Sequence, residues 1–355
     1  MTAPTWPGLL MQLLAGKDLT TTDTTWVMDR ILTAEATDAQ LAGFAVALRA
    51  KGETSSELAG LVRSMLGHAN RFEVAERAVD IVGTGGDRSN TVNISTMASV
   101  VVAAAGATVV KHGNRAASSK SGSADLLEGL GVALTLSAAG VRRTVEEVGI
   151  GFCFASVFHP SMRFAAAARR EMGIPTFFNI LGPLTNPAQP AAGAVGCGDP
   201  RLAPVMAGVF AEREVDVLVF RGDDGLDELT TTTTSRVWMV RDHAVRETTF
   251  DPARLGLARS HPDDLVGGEV SHNVRVARTV FEGARGPIRD AVALNAAAAL
   301  AAHAGLSGDL EADLAAGLER ADAALDSGAV AELVGRWVAA STAIAAEEAA
   351  VSSTI

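Results

Sequence analysis

VDIVGTGGDRSNTVNISTMASVVVAAAG, residues 79–106, sets the architecture. An apolar strand, VDIV, runs into the glycine turn GTGGD, and after a polar loop Ser95 and Thr96 open an apolar helix. Strand, glycine turn and helix together make a βα unit. The rhythm continues downstream. ATVVKHG is a strand whose carboxyl end delivers Lys111 and His112, SADLLEGLG starts a helix at Ser123, SAAGVRRTVEEVG gives another helix, and GFCFA a further strand. Such alternation predicts a mostly parallel sheet with ligands at the strand carboxyl ends, where the loops carry nearly all the unusual polar residues.

Outward from this block the character differs. Residues 5–70 read as short helices with capping signals at Thr22-Asp23, Thr37-Asp38 and Thr54, and no strand signal interrupts them. Their surplus of apolar positions suits either a core of their own or a subunit interface. Residues 161–190 interrupt the βα rhythm with SMRFAAAARREMG and FFNILGPLTNP; the rhythm resumes with AGAVGCGD, LAPVMAGVFAER and VDVLVFRG, and a helical region from about 288 to 348 closes the chain. The expected fold is therefore α/β: a small all-helical domain plus a larger α/β domain with a mostly parallel central sheet. The helical domain spans 1–76, with 161–190 added discontinuously; the α/β domain takes 77–160 and 191–348, and 349–355 is a frayed tail. The threonine run 230–234 reads as an extended β segment.

Composition narrows the class. The chain has 355 residues, 48% hydrophobic and 20% charged, with a net charge of −11. That balance argues against a nucleic-acid binder and favours a small anionic ligand in a locally basic pocket. Two cysteines, Cys153 and Cys197, sit in apolar surroundings without a signal peptide, so reduced thiols and a cytoplasmic location are expected. The apolar windows 97–110 and 291–304 are too short to span a bilayer, and no membrane partner is expected.

Three loops carry the chemistry. GTGGD lacks the GxGxxG spacing of a dinucleotide fold and the GKS or GKT ending of a P-loop. Followed by NTVNIST at a helix start, it makes an anion site of free amides near Asn93, Ser95 and Thr96. KHGNRAASSKSGSAD, 111–125, adds Lys111, His112, Arg115 and serine hydroxyls, a combination suited to a phosphorylated sugar. DDGLDEL, 223–229, supplies four carboxylates, of which Asp227 and Glu228 are the better pair for Mg²⁺, because Asp223 and Asp224 flank the turn at Gly225. His159 and Arg169, with NILGPL beyond, could form a carboxylate-reading pocket or be structural.

Taken as a set, DIVGTGGD, NTVNIST, KHGNRAASSKSGSADLLEGLG, FHPSMR, ARREMG, FNILGPLTNP and GLDELTTTTT stand in the order seen in anthranilate phosphoribosyltransferases, and the chain resembles that family from about residue 5 to 345. The resemblance implies transfer of the 5-phosphoribosyl group from phosphoribosyl pyrophosphate (PRPP) to the amino group of anthranilate with Mg²⁺ bound, the second step from chorismate to tryptophan. It also implies a homodimer through the helical domain. PRPP would contact Gly83, Gly86, Asp87, Thr91, Asn93, Ile94, Ser95, Thr96 and the span Lys111, His112, Gly113, Asn114, Arg115, Ala116, Ala117, Ser118, Ser119, together with Ser123. Ser95, Asp227 and Glu228 would serve the metal. Gly83, His112, Asn114, His159, Arg169 and Gly182 would line the anthranilate path, with Arg169 on the carboxylate. No covalent catalyst is implied: Lys111, His112, Asn114 and Arg169 position the substrates. FHPSMR stands where FHPAM is frequent, and Pro175 where arginine often stands, which bears on the anthranilate tunnel alone. The rival readings are a nucleoside phosphorylase-like enzyme and a non-catalytic nucleic-acid-binding relative.

Overall fold

The structure is a computed structural model that describes residues 3–116 and 120–352. Seven strands form one sheet: β1 (Ala78–Gly83), β2 (Thr108–Gly113), β3 (Ile150–Phe154), β4 (Ala192–Gly196), β5 (Asp216–Gly222), β6 (Ser235–Arg241) and β7 (Ala244–Phe250), in the order β3-β2-β1-β4-β5-β6-β7. The first five in that order run parallel, and β6 and β7 return antiparallel. The chain order reverses direction between β1 and β4, and a crevice at the carboxyl ends of such a pair is where doubly wound sheets bind ligands.

The amino-terminal segment is helical as expected, with helices Trp6–Leu14, Thr21–Leu32, Asp38–Lys51 and Ser55–Gly67. Three begin with reciprocal capping boxes, at Thr20, Thr37 and Thr54. The cap at Thr20 corrects the expected Thr22: Asp23 is the third helical residue, and its carboxylate accepts from Thr20 N at 3.0 Å. The segment 161–190 lies against these helices. Phe177 meets Phe44 edge-on at 5.7 Å, and Ala165, Phe178 and Leu181 share a core with Leu9 and Leu48. That same core runs on without a break into Val195 of β4, Val217 of β5 and Trp238 of β6.

The opposite sheet face packs on helices Ile94–Ala104 and Pro287–Ala304. The latter is apolar on all sides because it is enclosed on all sides, with Ala291 to Ala302 buried throughout.

Several details depart from the sequence expectations. Thr230–Thr234 is not a β segment but a bend, because its hydroxyls find local partners: Thr230 Oγ1 donates to Asp224 Oδ2 at 2.6 Å and Thr231 Oγ1 to Ser260 Oγ at 3.0 Å. Extended chain begins only after it, in the β6–β7 hairpin, which turns on Asp242 and His243 at φ 49° and 58°. A two-residue turn with both φ positive matches the twist of a hairpin, but Asp-His does not advertise it as Asn-Gly would. The helix Val270–Phe281 is also additional. The closing helix is Ala329–Ser352, so residues 349–352, expected to fray, continue it. Its stretch Ala329–Val351 is long and apolar enough to cross a membrane by length and composition, unlike the two windows weighed above. Val330, Leu333, Trp337 and Ile344 on this helix are buried in the chain's own cores.

Candidate active site

The crevice at the carboxyl ends of β1 and β4 is closed by the acidic loop. Gly83 and Gly196 end these strands side by side, and Asp227 passes directly over both. A Cβ added to Gly83 would lie 2.1 Å from Asp227 Oδ2, and one on Gly196 would lie 1.5 Å from the backbone oxygen of Asp227. The carboxylates are fixed by main-chain amides: Gly85 N donates to Asp227 Oδ2 at 2.7 Å, and Ser95 N to Glu228 Oε1 at 3.2 Å. The helix amino terminus read from sequence as a free anion site thus already holds one protein carboxylate. Because backbone, not a mobile side chain, opposes Gly196, the Gly196→Ala protein is expected to lose roughly 3 kcal/mol or more of stability. A thermal midpoint within a degree of the parent would show that the acidic loop does not sit where described.

Asp227 and Glu228 are both buried. Burial, then repulsion from Asp87, pushes Asp227 up to about 7; burial, then Asp227, pushes Glu228 well above the carboxylate range. Two mutually repelling buried carboxylates on a hard-oxygen site fit a divalent cation. Among the described residues no three His, Cys, Asp or Glu side chains could hold a metal by themselves. Mg²⁺ keeps several waters and shares substrate oxygens, so a pair of carboxylates is enough to hold it.

Lys111 and His112 come from the carboxyl end of β2, as the strand ATVVKHG predicts. Lys111 is buried, its ammonium donating to the Ile81 carbonyl. Burial lowers its pKa, while Asp80, Glu228 and Asp227 pull it back up. It is therefore a buried counter-charge shared among Asp80 first and then Glu228 and Asp227, and not a freely exposed phosphate-binding cation. Asp80, a carboxylate inside an otherwise apolar strand, is the residue the sequence reading passed over. Its Oδ1 accepts from His112 N at 3.1 Å and its Oδ2 from Asn186 Nδ2 at 2.9 Å.

His112 Nδ1 is 2.9 Å from the Gly182 oxygen. A carbonyl only accepts, so Nδ1 carries the proton and Nε2 keeps a lone pair. That Nε2 is buried without a partner. His159 lies 5.1 Å away ring to ring and bonds the Thr185 oxygen at 3.0 Å. Burial drives both pKa values down, His112 to about 3 and His159 to about 4, so both are neutral near pH 7. A depressed histidine stabilises the fold above its ordinary value of 6.5 and loses that contribution as pH falls toward the folded value. Relative to the parent, the His112→Gln, His159→Gln protein should gain about 2 kcal/mol per site between pH 6.5 and 5, read from urea midpoints. Asp80, raised by burial to about 6, has the opposite sign and is common to both proteins. A pH-independent difference would rule out neutral buried imidazoles.

Arg169 sits on the helix Ala166–Met172, half-buried, with its guanidinium 4.9 Å over the Phe178 ring. Burial alone lowers its pKa, and no ion pair meets it among the described residues. Phe178 and Gly182 belong to one helix, Phe178–Leu184, four residues apart, which puts them one turn apart on one face. Arg169 and His112 are thereby tied to neighbouring points of the same short helix. A Cβ on Gly182 would meet nothing within 4 Å, so open space adjoins it.

Other expected contacts are differently employed. Arg115 is engaged by Asp125 at 2.9 Å and Glu128 at 2.8 Å, not turned to the acid pair. Asn93 Nδ2 donates to the Ser121 oxygen at 2.9 Å, and Asn93 Oδ1 accepts from Asn273 at 2.9 Å, so this side chain braces the loop. Thr91 bridges to Val266. Asn114 is exposed, its backbone oxygen accepting from Ser123 Oγ at 3.1 Å. Asp125 Oδ2 gathers Ala116 N at 3.0 Å and Gly122 N at 2.9 Å, which shapes the loop. Gly85 and Gly86 take φ of 66° and 80°, leaving the turn after β1 open for close approach. Ala117, Ser118 and Ser119 lie outside the described residues.

Two family models tile the chain: the helical bundle domain of a glycosyl transferase family over residues 7–69, and the a/b domain of that family over 75–331. The anthranilate phosphoribosyltransferase of Saccharopolyspora erythraea is 60% identical over 345 residues, covering 97% of this chain and 98% of its own. That of Nocardioides sp. is 60% identical over 336 residues, covering 95% and 98%. Among solved structures, the anthranilate phosphoribosyltransferase of Thermus thermophilus superposes with a TM-score of 0.88 at 39% identity, covering 94% of this chain and 99% of that one. The Saccharomyces cerevisiae enzyme, solved in complex with PRPP and Mg, has a TM-score of 0.87 at 24% identity over 96% and 99%, and shows the common fold. Identity sustained over nearly the full length of both partners admits one conclusion: the chain belongs to the anthranilate phosphoribosyltransferase family.

Proposed function

We propose that this chain transfers the 5-phosphoribosyl group of PRPP to the amino group of anthranilate, releasing pyrophosphate, with its residues acting as follows. Anthranilate carries a carboxylate beside an aromatic amine. Arg169 receives the carboxylate, and the unpartnered Nε2 of His112 accepts an amine N–H. The observation that carries this reading is that a guanidinium without a carboxylate and a buried acceptor without a donor are both tied to one helix turn beside open space at Gly182. Asn114 and His159 complete the acceptor wall.

The phosphates of PRPP sit against the open glycine turn at Gly85 and Gly86 and along the segment from Lys111 to Ser123, with Asp87, Thr91, Ser95 and Thr96 around them. Asp227, Glu228 and Ser95 hold Mg²⁺. When bound, Mg²⁺ neutralises charge developing on the leaving pyrophosphate. Lys111, a buried charge shared with Asp80, offsets part of the negative charge of the acid pair when substrate and metal are away. An aromatic amine is unprotonated at neutral pH, so positioning and charge compensation supply the rate, without a protein nucleophile.

The helical unit, residues 1–76 with 161–190, forms the homodimer contact in this reading. Its helices Trp6–Leu14 and Asp38–Lys51 expose Met11, Leu14 and Val46 to 65%, 74% and 45%. The Leu14→Glu, Val46→Lys protein should sediment as a monomer; an unchanged dimer places the contact elsewhere. Two free, buried thiols, Cys153 and Cys197, accord with a cytoplasmic site of action.

Anthranilate fluorescence tests the reaction. Its decay should require protein, PRPP and Mg²⁺ together, each omitted in turn. A flat trace from folded protein overturns the assignment.

A further inference from the structure

A cavity of about 180 Å³ lies on the sheet face covered by the helical bundle, near the amino-terminal ends of β4 and β5. It is therefore at the opposite end of these strands from Gly83, Gly196 and the acid pair. Pro183, Leu184, Pro190, Val195, Phe210 and Val217 make its walls apolar.

One cation enters this apolar space. Arg213 lines the cavity, stacks 5.5 Å over Phe210, and donates from Nη2 to the Leu184 oxygen at 3.0 Å. No ion pair meets it among the described residues. Burial lowers the pKa of Arg213, as it does that of Arg169, with the Glu212 charge opposing it in part. A guanidinium has five N–H donors in a planar fork, and a single carbonyl leaves most of them unused. Asp80 also lines the cavity. Its oxygens already accept from His112 N and Asn186 Nδ2, so both are turned to protein donors, whereas Arg213 keeps donors free for a ligand.

We propose that this cavity is a second ligand site, for a small monocarboxylate with an apolar body: the carboxylate pairs with Arg213, and the body lies among Leu184, Val195, Phe210 and Val217. The site adjoins the acceptor pocket through two shared walls. Asp80 holds the His112 backbone, and Pro183 follows Gly182, whose carbonyl holds the His112 ring. Occupancy therefore changes the KM for anthranilate without competing for its site. The cavity argument stands on Arg213 and its surroundings; only the coupling rests on the proposed acceptor pocket.

The test uses 4-fluorobenzoate, which lacks an amine and cannot react, observed by fluorine NMR on the full chain. Two bound resonances are expected. Arg169→Gln should remove one, and Arg213→Gln should weaken the other at least about tenfold, as for a lost charge-assisted pair. Gly193→Val provides an independent check. Gly193 lines the cavity, and a Cβ there meets Val217 and Val195 at ordinary contact distances of 3.4 and 3.6 Å, so the strand accepts a side chain that takes up the ligand's space. Survival of the Arg169-dependent resonance in both variants shows that they are folded. Two resonances persisting in Arg213→Gln and Gly193→Val, or only one in the parent, overturn the second site. Two resonances untouched by Arg169→Gln would instead remove Arg169 from its assigned role.

Discussion

In the Arg169→Ala enzyme, kcat/KM for anthranilate is expected to fall roughly 10²- to 10³-fold, while the KM for PRPP moves by no more than about twofold. The asymmetry follows from where the cation sits. Arg169 rests on the Phe178 ring at the acceptor end, with no carboxylate of the protein paired to it. Its loss removes the partner of one ligand group and leaves the phosphate loops untouched. Because no protein ion pair is broken, the variant should unfold within a few degrees of the parent. Arg169→Lys should restore only part of the activity, since a point charge neither forks onto a carboxylate nor stacks on the ring as guanidinium does. Steady-state kinetics with each substrate varied in turn decides the matter; equal losses for PRPP and anthranilate would exclude Arg169 as the carboxylate receptor.

The Asp227→Asn, Glu228→Gln enzyme is expected to lose about 10²-fold or more in kcat and to lose its response to added Mg²⁺. Its metal-free form should nevertheless be at least as stable as the parent. The amide replacements keep a carbonyl to accept from Gly85 N and Ser95 N, while removing two buried charges that repel each other and Asp87. Lys111 is then left facing Asp80, a matched pair. Activity and stability thus move in opposite directions, which simple misfolding does not produce. A normal Mg²⁺ titration in this variant would exclude the pair as the metal site.

Much of this was legible in the residues because local and global signals agree. The glycine turn after VDIV, the strand ending in Lys-His and the acidic loop after VDVLVFRG mark strand ends, and the parallel sheet brings those ends to one edge. What escaped needed tertiary information. A buried carboxylate at Asp80 looks, in sequence, like a flaw in an apolar strand; only the strand register reveals His112 N and Asn186 waiting for it. The strand carrying Lys111 was legible, but its burial was not: only the fold shows the ammonium turned inward to the Ile81 carbonyl. The threonine run has high β propensity and was read accordingly, but Asp223 and Asp224 capture its hydroxyls. The hairpin after it turns on Asp242 and His243 at positive φ without a glycine, so the usual Asn-Gly or Asp-Gly turn signal is missing.

The uninterrupted core from Leu9 through Phe177 to Trp238 bears on how the chain comes apart. The boundary between the two family models, at residues 69–75, marks inherited modules. It does not mark separate folding units, because severing the chain there would strip apolar cover from one face of the sheet and leave the bundle without its floor. Denaturation should then be a single cooperative event, and a fragment ending at residue 76 should be a molten or aggregating species rather than a small stable bundle. Opening the helices away from the crevice would expose that shared interior, so slight sliding of the bundle over the sheet is the motion expected during turnover.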